Sequence, residues 1–432
     1  MENQHNPRIA IVGAGFGGLQ AALHLASLPV QITLIDRRNH HTFQPLLYQV
    51  ATAGLSPGEI AAPIRWIVRG RKSIEVLLGE VQDFDLSKHV VKLPELDVPY
   101  DYLIVAAGVS HAYFGHDEWE PFAPGLKTVE DALEIRRRVL LAFELEERQA
   151  AGTGLHMPLN FVIVGGGPTG VELAGTLAEI SRQVLAHEFK SIDPQSTRII
   201  LLEGGPRVLP AYAEDMSRSA EEQLRHLGVE VHTSAMVTNV EAGAVYMGQT
   251  RLSAPVIIWA AGVAASPLGK KLGAPVDRAG RVLVNPDLSL PGHPEVFVIG
   301  DLASIKDTHG QPVPGLAPAA MQEGRFVARN IKRELHGEAR KNFHYFNKGN
   351  LATIGRAAAV AEFGKIHISG FIAWLAWLFI HIFFLIGFRN RIIVLIQWAW
   401  SYFTFERGAR LITGDQTLPG WPSGTKAKTA KT

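Results

Sequence analysis

Gly13-Ala14-Gly15-Phe16-Gly17-Gly18 follows a short apolar run, Arg8 to Val12, and precedes a helical pattern through Leu19, Ala22, Leu23 and Ala26. Glycines at the spacing of Gly13, Gly15 and Gly18 serve three needs of a dinucleotide fold: a tight turn, close approach of a pyrophosphate, and close helix–strand packing. The phosphates sit at the N-terminus of the following helix, where free N–H groups and the dipole attract them. A second strand, Gln31 to Ile35, ends in Asp36, whose carboxylate can accept both ribose hydroxyls. Arg37 and Arg38 would suit a phosphorylated ribose, but the carboxylate at the strand end argues against one.

The same grammar recurs. Strand Asn160 to Val164 leads into Gly165-Gly166-Gly167-Pro168-Thr169-Gly170, a helix through Val171, Leu173 and Leu177, and strand Arg198 to Leu202 ending in Glu203. The stretch from Gly170 to Glu203 is longer than the usual ~20 residues, which predicts a long helix or an excursion near Ser191 to Thr197. Glu203 would repel a 2′-phosphate, and Gly204 and Gly205 after it offer no arginine to bind one, so NADH is favoured over NADPH. Glu172 reads as lying in the helix's first turn, either complementing the dipole or beside a nicotinamide. Two βαβ units imply α/β architecture with parallel sheets covered by helices.

Length and composition narrow the chemistry. A chain of 432 residues calls for two or three domains. Its net charge of +1 gives no basic footprint, which sets nucleic acid aside. With no cysteine, disulfides, cysteine-ligated zinc, iron–sulfur clusters and thiol relays are excluded, and no metal site is expected. The polar Met1 to Pro7 lack the pattern of a signal peptide, so a cytoplasmic origin is expected.

Between the two units, Thr128 and Asp131 form a capping-box pattern before the amphipathic stretch Ala132 to Gln149, which ends near Gly152 and Gly154. Asp101 to Gly108 is a buried strand ending in Ala106-Ala107-Gly108, and Val296 to Ile299 is another, ending in Gly300-Asp301 at the carboxyl edge where open sheets place ligands. Of two dinucleotides on one chain, only a flavin offers a relay that takes a hydride and releases electrons singly or in pairs, so FAD is assigned to the first loop and NADH to the second.

The end of the chain changes character. From Gly370 to Phe388 no residue carries a formal charge, and as one helix the stretch would be ~28 Å long, close to a bilayer's hydrocarbon thickness. After Arg389-Asn390-Arg391 the apolar pattern resumes from Ile392 to Phe405, with Trp398, Trp400 and Tyr402 at the boundary. A spanning hairpin, helices lying in one leaflet and a buried dimer helix are the alternatives. His381 within the run reads as a packed histidine.

Three narrower motifs carry a resemblance: Phe43-Gln44-Pro45-Leu46-Leu47-Tyr48-Gln49-Val50-Ala51, Lys348-Gly349-Asn350-Leu351-Ala352-Thr353-Ile354-Gly355-Arg356, and Gly387-Phe388-Arg389-Asn390-Arg391. With the paired loops and VFVIGD they make the chain, from Arg8 to about Gly414, similar to the type II NADH:quinone oxidoreductases, non-proton-pumping respiratory flavoenzymes. The resemblance implies an FAD domain (1–115 and 290–345) interrupted by an inserted NADH domain (116–289), then a membrane-attachment region (346–414) and a flexible tail (415–432).

It also implies roles. The flavin contacts are Gly13, Gly15, Phe16, Gly17, Gly18, Asp36, Arg37, Gln44, Pro45, Leu46, Leu47, Val81, Ala107, Gly108 and Asp301, the last on the ribityl chain. NADH falls to Gly165, Gly167, Pro168, Thr169, Gly170, Glu203, Ala261 and Gly262, with Glu172 by the nicotinamide. Ala317, Gln322, Lys348 and Leu351 line the quinone pocket, and Glu172, Lys348 and Gln322 are the candidate catalytic residues. Pro314 to Gly324 departs from the family's A-Q-x-x-x-Q pattern, because Pro318 replaces the first glutamine and only Gln322 is retained. The implied partners are NADH, ubiquinone or menaquinone, and membrane lipid, with monotopic attachment to the cytoplasmic face of the inner membrane. A homodimer is among the open assembly states. The dithiol reductases and sulfide:quinone reductases need cysteine pairs and are excluded. A soluble-type NADH:ferredoxin reductase and an NADH-binding membrane protein without turnover remain as alternatives.

Overall fold

Strand β1 (Arg8–Val12) is buried beyond its first residue, as happens where parallel neighbours flank a strand and helices cover both faces. In this computed structural model, which describes residues 6–307 and 310–421, β1 leads into α1 (Phe16–Leu25) and then β2 (Gln31–Asp36). β2 pairs parallel to β1 on one side and to β3 (Ile74–Leu78) on the other, while β4 (Tyr102–Val105) takes the far side of β1. The order β3-β2-β1-β4 reverses direction between β1 and β4, which opens a ligand crevice at their carboxyl ends.

A long helix, α2 (Val129–Thr153), begins the next segment. The predicted capping box is present: Thr128 Oγ1 accepts the Asp131 N–H at 3.1 Å and the Asp131 carboxylate accepts the Thr128 N–H at 2.9 Å. The helix stops at Gly154, which takes the left-handed conformation at φ +70°. Then β5 (Asn160–Val164), α3 (Pro168–Glu179), β6 (Arg198–Leu202), β7 (Val229–His232) and β8 (Val256–Trp259) repeat the first arrangement as a parallel sheet ordered β7-β6-β5-β8. The surplus length before Glu203 is one wide helical turn, Ile180–Val184, and an irregular excursion with a single turn at Pro194–Ser196.

The chain returns to the first sheet with β9 (His293–Val298), parallel to β4, and α4 (Ala317–Leu335), which packs on α1. A Cβ on Gly324 of α4 would lie 2.2 Å from the Gly17 carbonyl, so this crossing is as close as two helix backbones come. An antiparallel sheet of β10 (Asn350–Gly355), β11 (Ala358–Phe363) and β12 (Ile366–Ser369) follows, then α5 (Phe371–Phe384) and α6 (Phe388–Thr404).

The chain forms two units whose boundaries differ from the linear domains expected. The first holds the described residues to Thr42, Ala61–His111 and Val263–Lys348; the second holds Phe43–Ile60, Ala112–Gly262 and the described residues from Gly349 on. Phe43–Ile60 leaves the first unit because the short helix Leu47–Ala51 packs on α2 and α3. The region after Gly349 joins the second unit because β10 lies on α3, where a Cβ on Gly175 would sit 1.5 Å from the Ile354 carbonyl. Within the expected tail, the Arg137 guanidinium donates to the carbonyls of Asp415 (2.7 Å) and Thr417 (2.8 Å), and Leu418 is buried. Residues 422–432 lie outside the described residues.

The uncharged stretch Gly370 to Phe388 is not one helix. Leu385 is extended and Gly387 turns to φ +88°, so α5 stops after 14 residues, a length of ~21 Å. Among the described residues no helix is long and apolar enough to cross a membrane.

Candidate active site

The two glycine loops are assembled from the same contacts. Gly13 has φ +99°, donates its N–H to the Ile35 carbonyl at 2.8 Å, and would place a Cβ 2.3 Å from the Ala106 carbonyl. Gly165 has φ +108°, donates to Leu202 at 2.7 Å, and would place a Cβ 2.5 Å from Ala260. Gly18 and Gly170 each approach the first glycine of their own loop so closely that a Cβ would lie 1.9 Å from its carbonyl oxygen. Only glycine fits these four positions, which brings strand, turn and helix into van der Waals contact.

The middle glycines face open space instead. A Cβ on Gly15 or Gly167 would meet nothing within 4 Å, and each residue is the N-cap of its helix without a side-chain cap or an acid in the first turn. The first N–H groups of α1 and α3 are therefore available to an anion, which fits a pyrophosphate. Arg37 is exposed and Phe16 and Thr169 are partly buried around these turns.

At the strand ends the two acids also correspond. Asp36 accepts the N–H groups of Ala14 (2.6 Å) and Arg38 (2.8 Å); Glu203 accepts those of Gly166 (2.5 Å) and Gly205 (2.6 Å). Each carboxylate thus braces its own glycine loop at the place where a ribose would lie. His41, which the sequence does not single out, supports the first loop: its Nδ1 bonds the Ala14 carbonyl at 2.8 Å, its ring meets Phe16 edge-on at 5.0 Å, and burial pushes its pKa down.

The other candidates divide between the units. In the first, Gly108 takes φ +66° after β4, Ala107 packs on the sheet core and Val81 is buried within it. Asp301 follows Gly300 (φ +72°) at the end of β9. Pro318 sits in the opening turn of α4, where a missing N–H costs nothing. Gln322, one turn on, uses its amide to hold Phe346, accepting its N–H and donating to its carbonyl, both at 3.0 Å. Ala317 is partly buried and Lys348 exposed.

The second unit holds Gln44 to Leu47, with Leu46 and Leu47 buried and the Gln44 amide donating to the Lys127 carbonyl at 3.4 Å. Ala261 packs against the second core, a Cβ on Gly262 would meet the Phe114 ring at 2.6 Å, and Leu351 pairs with Ala361 in the carboxyl-terminal sheet. Glu172 is not in the first turn of α3, which starts at Pro168; it lies beyond the reach of dipole complementation. Burial holds its carboxyl well above the usual carboxylate range, against a hydrogen bond from the Thr353 backbone. Its carboxylate, once formed, would push the Tyr48 and Tyr212 pKa values up, so the FQPLLYQVA motif and Glu172 share one environment.

Two buried groups escaped the sequence reading. Glu323 is 2% exposed on α4 and accepts the Gly300 N–H. Its signal was a carboxyl on the helix's apolar stripe with Ala319, Ala320 and Val327. Arg407 pairs with Glu179 at 2.8 Å, and the Arg356 guanidinium lies 4.1 Å and 4.0 Å from the ring centres of Tyr402 and Phe405. These residues and Trp374, Trp377 and Trp398 line a cavity of about 110 Å³ within the second unit. Nothing in linear spacing brings them together.

His381 bonds the Trp377 carbonyl through Nδ1 at 2.7 Å and stacks on its ring, and burial pushes its pKa down to about 4. It is a packed neutral histidine. Among the described residues no cluster could hold a metal ion.

Paired dinucleotide folds with open, uncapped helix N-termini define a pyridine-nucleotide oxidoreductase of the two-fold type, and residues 7–324 match the family described as pyridine nucleotide-disulphide oxidoreductase. Residues 347–407 match the NDH2 C-terminal domain. The chain is 46% identical to the type II NADH:quinone oxidoreductase NdhA of Mycobacterium tuberculosis over 94% of its length and 89% of that protein's. It is 45% identical to the Ndh enzyme of the same organism, over 95% and 91%. The structure of NDH2 from Plasmodium falciparum in complex with NADH superposes with a TM-score of 0.84 at 21% identity, covering 95% of this chain and 100% of that one. This chain belongs to the type II NADH:quinone oxidoreductase family. The sulfide:quinone oxidoreductase of Aquifex aeolicus shares the fold at a TM-score of 0.69 and 18% identity, but a chain without cysteine has no thiol pair to run disulfide chemistry.

Proposed function

We propose that this protein oxidises NADH and reduces a membrane quinone, through FAD held on its first dinucleotide fold and without moving protons across the membrane. The observation that carries the reading is 46% identity to a type II NADH:quinone oxidoreductase along nearly the whole chain. FAD, when bound, supplies the step that takes a hydride from NADH and releases two electrons to a quinone. The protein's own part is binding and orientation. The N–H groups opening α1 and α3 hold the two pyrophosphates, Asp36 and Glu203 hold the riboses, and Asp301 holds the ribityl chain. Val81, Ala107 and Gly108 would border the flavin in the first unit; Ala261 and Gly262 would border the nicotinamide in the second. Glu172, whose carboxyl is held well above the usual carboxylate range by desolvation, would border the nicotinamide. In the first unit Ala317, Gln322 and Lys348 would receive the quinone.

Attachment is to one face of a membrane, the cytoplasmic face of the inner membrane, through α5 and α6. Phe371, Ile372, Leu375, Phe379 and Phe383 are exposed along α5, and Ile392, Leu395, Ile396, Trp400 and Phe403 along α6. Each set falls on one helix face, an exposed apolar face for lying in a leaflet where a long-tailed quinone is available. That exposed face favours a quinone over the ferredoxin of the soluble-type alternative. A homodimer is the assembly proposed, to be checked by sedimentation in detergent.

Purified protein is expected to carry FAD and to reduce ubiquinone or menaquinone analogues with NADH well ahead of NADPH. Absence of flavin, or equal rates with both nucleotides, would overturn the reading.

A further inference from the structure

We propose that Glu323 is a positioning residue for the flavin, gripping the Gly300–Asp301 turn so that Asp301 meets the cofactor. The proposal rests on Asp301 being a flavin contact and adds the residue that orients it. Glu323 lies where three pieces of the first unit converge. Its carboxyl accepts the N–H of Gly300, the left-handed residue that ends β9 and aims Asp301. Its neighbour Gly324 is the closest approach of α4 to α1, at the Gly17 carbonyl. Gly17 in turn would place a Cβ 3.1 Å from Ile299 and 3.3 Å from the Ala320 carbonyl. Glu323 therefore bonds the turn carrying Asp301 from α4, the helix that rests on α1 through its next residue, Gly324.

The charge state follows from the surroundings. At 2% exposure the carboxyl is taken out of water; burial, with the nearby Asp301 carboxylate adding to it, pushes its pKa up to about 8, although the Gly300 N–H opposes the shift. Tyr345, from the segment after α4, is the other titratable group that feels it, its own pKa raised by burial and by Glu323. Around neutrality Glu323 is a neutral acid whose carbonyl oxygen accepts from Gly300 without setting a second negative charge beside Asp301. Above pH 8 it becomes a carboxylate next to another carboxylate. The turn then loses its advantage for a cofactor that needs Asp301 placed.

FAD binding to apoprotein, read by quenching of flavin fluorescence, tests this across pH 6 to 9. The expected result is wild-type affinity that weakens as pH rises through about 8, an affinity independent of pH in Glu323→Gln, whose amide oxygen keeps the Gly300 bond, and an affinity about tenfold weaker at pH 7 in Glu323→Ala. Thermal melting of the apoproteins separates positioning from general destabilisation, because Glu323→Gln must melt at least as high as wild type at pH 8 while Glu323→Ala loses FAD. Wild-type affinity at every pH in Glu323→Ala, or the same pH dependence in Glu323→Gln as in wild type, overturns the proposal. If Asp301→Ala binds FAD as tightly as wild type, the assignment of Asp301 itself fails, independently of Glu323.

Discussion

In the first unit Asp36 braces the N–H groups of Ala14 and Arg38; in the second, Glu203, one methylene longer, braces those of Gly166 and Gly205. The glycine contacts match to within a few tenths of an ångström, and β3-β2-β1-β4 and β7-β6-β5-β8 run in the same order, although the first sheet continues with two further strands. What differs is the backing of the loop helix. α1 is backed by α4, which brings Glu323 to the Gly300 turn, whereas α3 is backed by the carboxyl-terminal sheet, which brings Thr353 to Glu172. In each unit desolvation pushes a carboxyl's pKa up, and a different backbone partner opposes the shift. In the first unit the acid comes from the helix behind the loop helix; in the second it sits on the loop helix itself, and the sheet behind supplies its hydrogen-bond partner.

Steric damage to the loops should have the largest effect on this comparison. Gly18→Val and Gly170→Val each drive a side chain into a carbonyl 1.9 Å away, a cost of about 3 kcal/mol or more. Gly18→Val is expected to yield protein without FAD, and Gly170→Val protein that keeps FAD but no longer binds NADH, as read by flavin absorbance and nucleotide titration. Loss of FAD in Gly170→Val would show that the two loops are not independent.

Charge removal at the strand ends comes next. Asp36→Asn should weaken FAD, and Glu203→Gln should raise the KM for NADH, each by about 10-fold for roughly 1.4 kcal/mol. Glu203→Gln should also narrow the preference for NADH over NADPH; an unchanged nucleotide ratio would remove Glu203 from the ribose.

Glu172→Gln sharpens the contrast through pH. The folded protein keeps the Glu172 proton where the unfolded chain has already lost it, so stability falls as pH rises above the ordinary carboxyl value of 4.5. Melting temperatures measured from pH 5 to 8 should fall less in Glu172→Gln than in wild type. Parallel curves would mean that Glu172 is ionised in the fold.

The smallest effect on stability is expected at the membrane face. Phe379 and Phe383 are 70% and 60% exposed, so replacing both by serine should change stability by only about 0.5 kcal/mol while reducing sedimentation with phospholipid vesicles. Removing everything beyond Phe363 is a poorer test, because it also deletes Arg407 and its buried pair with Glu179. Undiminished vesicle binding by the double variant would move attachment away from α5.

The amino-acid sequence by itself determined what depends on neighbours along the chain: both glycine loops, the acids that close the following strands, the capping box at Thr128, and the apolar carboxyl-terminal stretch. Backbone sterics and short-range hydrogen bonds act over a few residues, so their signatures survive in one dimension. It also settled, through the absence of cysteine, which redox chemistry is closed to the chain. Only the tertiary structure decided that Phe43–Ile60 belongs with the second unit, and that the apolar stretch breaks at Leu385 to Gly387 into helices too short to span a bilayer. The same holds for Glu323 reaching Gly300 and Arg407 meeting Glu179. Those outcomes depend on which surfaces meet once the sheets are formed. Burial then pushes up the pKa of Glu323 and Glu172, and linear spacing carries no measure of burial.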